Sequence, residues 1–235
     1  MTLRAFVEDV TAGSRTITVF APERDEAFAR HFESRGVTVE HERLPDDGSG
    51  GFVVVTEDGK FVGSVPRRVT HELVSPGASD LELGSGTDVR LPMNLLADTT
   101  FVAFDRQQML ATSREIEDRA YRRGRGTLRA GFQSLSTLEP QRDVYGQLTR
   151  DTDLDVHLYG EHDWDPGLPD ATVHAQTADE LGRFWFIVFD GGGDDRQACA
   201  LLAEEVADES ESFRGFWTYE PGRVAELDAY LAGTY

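Results

Sequence analysis

Residues 124–164 read GRGTLRAGFQSLSTLEPQRDVYGQLTRDTDLDVHLYGEHDW, and this stretch decides how the rest of the chain is interpreted. Gly124 and Gly126 break the preceding helical pattern, and a second helix is predicted from apolar residues at helical spacing. Those residues are Leu128, Phe132, Leu135 and Leu138. Pro140 interrupts the pattern, which resumes and runs to about Arg150. The stretch therefore predicts two helical segments after a glycine turn.

The end of this stretch alternates between apolar and polar residues and predicts a strand. Leu154, Val156 and Leu158 alternate with Asp155, His157 and Tyr159. A loop rich in Asp, Gly and Pro follows over residues 160–170. The stretch as a whole predicts helix faces, a turn and a strand more convincingly than a reactive group.

N-terminal to this stretch, the sequence predicts a helix, a strand, a helix and a strand, followed by a hairpin. The segments are a helix from Leu3 to Val10, strands at 16–20 and 37–42, a helix at 25–36, and strands on either side of Asp58-Gly59. Asp-Gly between two β-rich runs is a strong hairpin signal. Residues 75–90 lose all periodicity, and we interpret them as a long surface loop or a boundary between two lobes.

The C-terminal part predicts irregularly interleaved strands and helices. The segments are strands at 99–104, 172–176, 183–189 and 214–219, and helices at 105–123, 197–206 and from Pro221 onward. A doubly wound sheet would alternate more strictly. We therefore predict an α+β fold with a mixed, largely antiparallel sheet and packed helices, divided into an N-terminal α/β lobe at 1–90 and a larger C-terminal lobe at 91–235.

The charge balance limits the classes of partner. The chain has 43 acidic and 23 basic residues, for a net charge of −20, and Lys60 is its single lysine. Acids spread along the whole chain suit a halophile, although an acidic protein from a GC-rich genome has the same composition. Nucleic-acid binding is disfavoured, because no basic stripe is present to neutralise phosphates. A denser arginine group, Arg119, Arg122, Arg123, Arg125 and Arg129, is the exception.

Two further features bear on the compartment. Cys199 is the only cysteine, so no intramolecular disulfide can form. The N-terminus lacks the apolar core of a signal peptide, and the longest apolar run, at 184–189, is far shorter than a membrane span. We expect a cytoplasmic protein that does not enter the membrane.

Three histidines and two glycine-rich loops are candidate sites with ordinary alternatives. His157, His162 and His174 lie near several aspartates, but their spacing matches no recognised metal motif, and no metal site is predicted. The acidic loop DGGGDD at 190–195 favours a helix N-cap at Asp194 or Asp195 over phosphate binding. The basic loop at 124–131 is the best anion candidate, with a turn between helices as the alternative.

The aromatic residues of the last third give the most interesting constellation. If His157, Tyr159, Trp185 and Trp217 share one sheet face, they can line a partly polar ligand pocket. Packing of the same aromatics beneath a helix is the alternative. Cys199, within the apolar run ACALLA, is expected to be a buried small hydrophobe. The chain has no Gly-x-Ser-x-Gly elbow, His-Glu-x-x-His motif or kinase signature, so no catalytic residue is predicted.

Several strings together resemble the DICT domain, the sensory domain found with diguanylate cyclases and two-component systems. They are REIEDRAYRRGRGTLRAGFQSLS at 114–136, DVHLYGEHDW at 155–164, FWFIVFDGGG at 184–193, ACALLAEE at 198–205 and FRGFWTYEP at 213–221. The blocks span about 99–235, and the N-terminal lobe looks like a divergent part of the same unit. The resemblance implies signal reception without enzyme activity, and it supplies no ligand, cofactor or ligand-binding residues.

The expected function is therefore that of a stand-alone, halophile-type sensory protein. It would bind a small ligand or a signalling partner such as a histidine kinase, and would signal by protein contact. The ligand-binding candidates are His157, Tyr159, Trp185 and Trp217, and the partner or anion surface comprises Arg122, Arg123, Arg125 and Arg129. The alternatives are a protein-interaction adaptor without a ligand and a small-molecule enzyme that uses His157 and nearby acids.

Overall fold

The computed structural model describes residues 2–9, 15–33, 37–46, 48, 50–57, 59–68, 100–176, 180–206 and 212–235. The predicted loop at 75–90 lies outside these residues. The helices are α1 (Leu3–Asp9), α2 (Glu26–Glu33), α3 (Arg106–Arg123), α4 (Arg142–Asp151) and α5 (Pro221–Thr234). Short 3-10 helices occupy Leu135–Gln141, Leu181–Arg183 and Asp195–Gln197.

Eleven described strands form two mixed sheets. The strands are β1 (Arg15–Ala21), β2 (Thr38–Arg43), β3 (Phe52–Glu57), β4 (Lys60–Pro66), β5 (Thr100–Asp105), β6 (Arg125–Ser134), β7 (Asp153–Glu161), β8 (Ala171–Ala175), β9 (Phe184–Phe189), β10 (Cys199–Glu205) and β11 (Ser212–Thr218). The first sheet has the order β2-β1-β3-β4, and the second has the order β5-β11-β10-β9-β6-β7-β8.

Most neighbouring strands in these sheets are antiparallel, which confirms the predicted α+β fold with a mixed, largely antiparallel sheet. The parallel pairs are β1 with β2, β6 with β7 and β7 with β8. The hairpin predicted around Asp58-Gly59 is present, since β3 and β4 pair antiparallel. The division into lobes at 1–90 and 91–235 stays a prediction, although α1 packs on the seven-stranded sheet rather than on its sequence neighbours.

Helices cover both faces of the seven-stranded sheet. One face, called here the inner face, packs against apolar residues of α3 and α4, among them Met109, Ile116 and Tyr145. The opposite face, called here the terminal-helix face, packs against α1 and α5 through residues such as Phe6 and Leu227. Strand β9 lies between β10 and β6, and all six of its residues are buried, as its apolar sequence predicted.

The helix predicted from Leu128 to Leu138 is wrong. Residues 125–134 form β6, and only the segment from Leu135 onward turns helical, as a 3-10 helix. Gly124 adopts a φ of 70° and ends α3, with its N–H bonded to the Ala120 carbonyl, so the chain leaves the helix in an extended direction. Leu128, Ala130 and Phe132 occupy successive inward positions of the strand. The four-residue spacing of Leu128 and Phe132 is therefore twice the strand period of two and does not mark a helical turn.

The helix predicted at 197–206 is also wrong. Residues 199–205 form β10, a central strand between β11 and β9. Six of its seven residues are buried, so both faces of the strand carry apolar side chains. Ala and Leu favour helices as isolated residues, but burial between two covered faces outweighs that weak preference.

Candidate functional site

The three parallel strands β6, β7 and β8 place four polar or aromatic side chains on the terminal-helix face. The register pairs Arg129 on β6 with His157 on β7, and Tyr159 on β7 with His174 on β8. His157 and Tyr159 share a face because they are two residues apart on one strand, as their alternation predicted. These four residues, together with Asp228 of α5, are called here the edge cluster.

Three rings of the edge cluster form a stack. The Tyr159 and His174 rings are nearly parallel, with centroids 4.3 Å apart and 4° between their planes. The His157 ring, two residues before Tyr159 on β7, has its centroid 5.2 Å from that of His174, with 23° between the ring planes. Tyr159 is fully buried, whereas both histidines are half-buried. The three rings therefore join one fully buried side chain of β7 to two half-buried side chains on β7 and the edge strand β8.

Arg129 ties the strand face of the cluster to α5. Its Nε donates to Asp228 Oδ1 at 2.7 Å, and its Nη1 donates to the Tyr159 hydroxyl at 3.0 Å. Burial lowers the pKa of Arg129, but the bonds to Asp228 and Tyr159 outweigh it and raise the pKa overall. Burial also raises the pKa of Tyr159. The guanidinium is therefore a fixed cation and the phenol a fixed neutral group at neutral pH.

Both ring nitrogens of each histidine have a partner. His157 Nδ1 lies 2.9 Å from His174 Nε2. The outer nitrogens face acceptors: His157 Nε2 lies 3.0 Å from Asp155 Oδ2, and His174 Nδ1 lies 3.2 Å from the main-chain oxygen of Tyr235. Burial lowers the pKa of His174, and the charge of Arg129 acts in the same direction. The pair is thus held by acceptors at both of its outer nitrogens.

Tyr235 and Glu180 extend this network to α1. The main-chain oxygen of Tyr235 also accepts a bond from Gln176 at 2.7 Å, and its hydroxyl donates to Glu180 Oε2 at 2.6 Å. The same carboxylate oxygen accepts from Tyr230 of α5 at 2.9 Å, and the other oxygen accepts from the Leu3 N–H of α1 at 2.7 Å. Glu180 therefore connects both helices of the terminal-helix face.

The structure does not bring all four predicted pocket residues together. Trp185 and Trp217 belong to the inner face, opposite His157 and Tyr159. Trp185 is buried beneath α3 and donates from Nε1 to Ser113 Oγ at 3.0 Å, while Trp217 is paired with Leu201 within the sheet. These two tryptophans are packed in the core, in line with the alternative prediction that the aromatic residues pack beneath a helix.

The four predicted surface arginines also separate into different environments. Arg123 and Arg125 both donate to the Gly192 carbonyl, at 3.2 and 3.1 Å, and so they fix the glycine loop that follows β9. Arg122 forms an ion pair with Asp118 one turn earlier on α3. Arg129 lies in the edge cluster, so the predicted basic surface contains at most three of the four residues.

The other predicted sites have structural roles. Asp194 caps the 3-10 turn at 195–197 by accepting from the Arg196 N–H, rather than capping a long helix. Cys199 is buried, and burial raises the pKa of its thiol to about 12, as expected for a small buried hydrophobe. Within the described ranges, no group of three or more His, Cys, Asp or Glu side chains is arranged to hold a metal ion. His162 is exposed in the loop after β7.

Three residues of the site were not predicted from the sequence, namely Asp228, Glu180 and Tyr235. Asp228 directly follows Leu227, which belongs to the apolar stripe of α5 with Val224 and Leu231. An acid beside a buried stripe was the available signal, because such a carboxylate needs a partner from the surface beneath it. No local pattern marks Glu180, since its donors come from residues 50 to 177 positions away.

Comparisons with known proteins agree in part with the resemblance of the sequence. A search of curated proteins found no match. Among solved structures, the polyphosphate kinase from Porphyromonas gingivalis is similar over 98% of this chain and 44% of its own, with 10% identity and a TM-score of 0.38. The chain thus spans less than half of that protein, and a score this low carries no functional argument. None of the described helices is long and apolar enough to cross a membrane.

A family model matches the part of the chain that contains most of the seven-stranded sheet. The match extends over residues 90–206 and includes Arg129, His157, Tyr159, His174 and Glu180. It leaves out α1, α2, α5, β11 and the four-stranded sheet β1–β4. Residues 90–206 thus match DICT, the family described as a sensory domain in diguanylate cyclases and two-component systems.

Proposed function

We propose that this protein is a non-enzymatic sensory component of a signalling system, which receives a small ligand at the edge cluster and reports it by protein contact. The family match supports the sensory role. One observation carries the choice of site: the edge cluster combines half-buried imidazoles with direct bonds to α5. A ligand that changes the imidazoles therefore has a short physical route to a surface helix.

The route from the imidazoles to the two helices consists of a few direct contacts. From His174 it passes through the main-chain oxygen of Tyr235, and from the Tyr235 hydroxyl it reaches Glu180. Glu180 then holds the first residues of α1 through the Leu3 N–H. Because α1 and α5 both cover the terminal-helix face, a shift of Tyr235 would change the seating of two helices at once. Such a two-helix surface is suited to contact with a signalling protein, for instance a histidine kinase, in the cytoplasm.

A ligand screen with purified protein in high salt and EDTA tests the first step. We expect at least one class of small metabolite to raise the thermal unfolding temperature of the wild-type chain, because a ligand that binds the folded state stabilises it. His157→Gln should abolish that rise, whereas His162→Gln should retain it. The absence of any shift across broad metabolite pools would contradict a ligand-binding role.

Amide hydrogen exchange tests the route to the helices. With a ligand from the screen, we expect protection in α5 and α1 to change together, because both depend on Glu180. Tyr235→Phe removes the hydroxyl bond to Glu180 and should uncouple α1 from the ligand while binding persists. Tyr121→Phe is the matched control, since its hydroxyl accepts a bond from Gln147 Nε2 of α4 at 3.3 Å and lies on the inner face. Unchanged coupling in Tyr235→Phe would contradict this route.

An adaptor without a ligand is the second candidate. It rests on Arg122 and Arg125, which are exposed cations on a chain of net charge −20 and are close to the junction of α3 and β6. Charge complementarity at such a patch would steer an acidic partner protein. A pull-down with wild-type protein and Arg122→Glu/Arg125→Glu distinguishes the candidates: loss of a partner in the variant supports the adaptor, and an unchanged partner set argues against it.

A further inference from the structure

When both are neutral, the two histidines of the edge cluster carry fewer N–H hydrogens than their hydrogen-bond contacts require. A neutral imidazole carries one N–H, so a neutral pair brings two hydrogens. Each of three contacts requires a donated hydrogen. They are the contact to Asp155 at 3.0 Å, the contact to Tyr235 at 3.2 Å and the contact between the rings at 2.9 Å. A carboxylate and a main-chain oxygen can only accept, so each outer nitrogen must be a donor for its bond to form.

With both outer nitrogens protonated, two lone pairs face each other across the gap between the rings. His157 Nδ1 and His174 Nε2 would then be two acceptors 2.9 Å apart, which is unfavourable unless a proton or a metal ion lies between them. The same arrangement is what a metal ion requires of histidine ligands. A metal-bound imidazole typically donates its other N–H to a carboxylate or a main-chain carbonyl, which fixes the ring and its tautomer.

We infer that His157 Nδ1 and His174 Nε2 form a binding site for a divalent transition metal ion of the zinc or nickel class, with Asp155 and Tyr235 as its outer partners. This inference rests on the proposed function and extends it, because the metal would add a coordination bond to a ligand that the edge cluster also binds through its own side chains. Imidazole nitrogen suits both metals. The site needs little rearrangement, since tetrahedral bonds of about 2.0–2.1 Å place two nitrogens roughly 3.4 Å apart.

The remaining coordination positions would be open. The described part of the chain offers no third His, Cys, Asp or Glu arranged to join a metal group, so water or a ligand atom must complete the coordination. The His157 side chain keeps 16% of its surface exposed, which leaves access from the β8 edge. Metal sites that bind another molecule keep an open coordination position, whereas structural sites are closed by protein ligands. A ligand with carboxylate or phosphate oxygens fits such a centre.

Isothermal titration of the full chain with zinc chloride, and separately with nickel chloride, tests the site. After treatment with EDTA and removal of the chelator, the wild type is expected to bind one ion, and His157→Gln and His174→Gln are each expected to weaken binding at least ~10-fold. Asp155→Asn should weaken it by a smaller factor, because its amide oxygen still accepts from His157. His162→Gln and His41→Gln are the matched controls and should bind like the wild type.

Two outcomes overturn the inference. One is the absence of heat and of thermal stabilisation in the wild type up to millimolar metal, and the other is equal loss of binding in His162→Gln. Circular dichroism of each variant separates loss of the site from loss of the fold. The ligand screen in EDTA is independent of this titration, so a metabolite shift there with no metal binding here would leave the proposed function standing and remove only the metal.

Discussion

At the scale of single residues, two glycines of the seven-stranded sheet are required by close packing across neighbouring strands. A Cβ at Gly131 would overlap the Phe186 ring of β9, and one at Gly215 would overlap the Leu202 carbonyl of β10. Neither glycine has a positive φ, so space alone excludes a side chain there. Gly131 lies on the terminal-helix side of β6, and Gly215 lies between Phe213 and Trp217 on the inner side of β11; both sides are covered, so the surrounding atoms have little freedom to move.

Substitution of these glycines should separate packing from backbone effects. We expect Gly131→Ala to lower the free energy of unfolding by about 1–3 kcal/mol through overpacking, and Gly215→Ala to cost at least as much because it meets backbone. Gly233→Ala, at an open position of α5, should instead stabilise by roughly 0.5 kcal/mol. Urea unfolding of the three variants measures these differences, and a Gly131→Ala protein as stable as the wild type would contradict the packing shown here.

The bond between Trp185 and Ser113 is a second feature of this scale. Both side chains are buried, and the indole N–H has the Ser113 hydroxyl as its acceptor at 3.0 Å. We expect Ser113→Ala to lower the free energy of unfolding by about 1–3 kcal/mol, because it leaves a buried donor unsatisfied. In a Trp185→Phe background the same change should cost much less, since the donor is already gone. Equal costs in the two backgrounds, measured by urea unfolding, would show that the bond is not the cause.

At the scale of elements, the sequence predicts helices well where one face alone is apolar. The helices α1, α2, α4 and α5 follow their predicted spacing, and Pro221 starts α5 as expected. The prediction of secondary structure from the sequence fails at β6 and β10, where both strand faces are buried and the alternation with a period of two disappears. Leucines and alanines at such positions carry no periodic signal that distinguishes a covered strand from a helix.

The same failure explains what could be predicted of the site. The shared face of His157 and Tyr159 follows from the alternation of β7 alone. Arg129 could not be placed beside them while β6 was interpreted as a helix, because its position depends on the parallel register with β7. Trp185 and Trp217 could not be assigned to a face of the sheet, since every residue of β9 is buried and nothing in its sequence marks which face α3 covers.

Glu204 is an element-scale link with a pH-dependent contribution. Its buried carboxylate accepts from Arg214 of β11 and from Arg4 of α1, and so it joins α1 to the sheet. Burial raises the pKa of Glu204, but the two arginines outweigh it and lower the pKa below the ordinary value of 4.5. A lowered pKa in the folded state means that this contribution is present above pH 4.5 and is lost as the pH falls through the folded pKa.

Glu204→Gln should therefore change the pH profile of stability. At pH 7 we expect the variant to unfold at a lower urea concentration than the wild type, because the charge-assisted bonds weaken. The gap should shrink between pH 5 and pH 3, where the wild-type carboxylate takes up a proton. Glu139→Gln, at an exposed position of the 3-10 helix before α4, is the control and should show almost no gap. A gap that stays constant down to pH 3 would contradict the linkage.

At the scale of the whole molecule, the dominant property is a net charge of −20. The described ion pairs are few beside the number of acids, and several of them lie within one helix, such as Arg114 with Glu117 and Arg119 with Glu115. With 43 acids and only 23 basic residues, the excess negative charges repel one another across the surface. Self-repulsion of this kind disfavours the compact state and weakens with added salt, because the Debye length falls from about 10 Å at 0.1 M to about 3 Å at 1 M.

We therefore expect the urea midpoint of unfolding to rise steadily between 0.1 and 2 M potassium chloride. A variant that removes five exposed negative charges isolates the cause, with substitutions at Glu8→Gln, Glu42→Gln, Glu139→Gln, Asp170→Asn and Glu226→Gln. It should be more stable than the wild type at 0.1 M salt and gain less on going to 2 M, since there is less repulsion to screen. If both proteins gain equally, the salt acts on hydration or on a specific ion site rather than by screening the repulsion between acids.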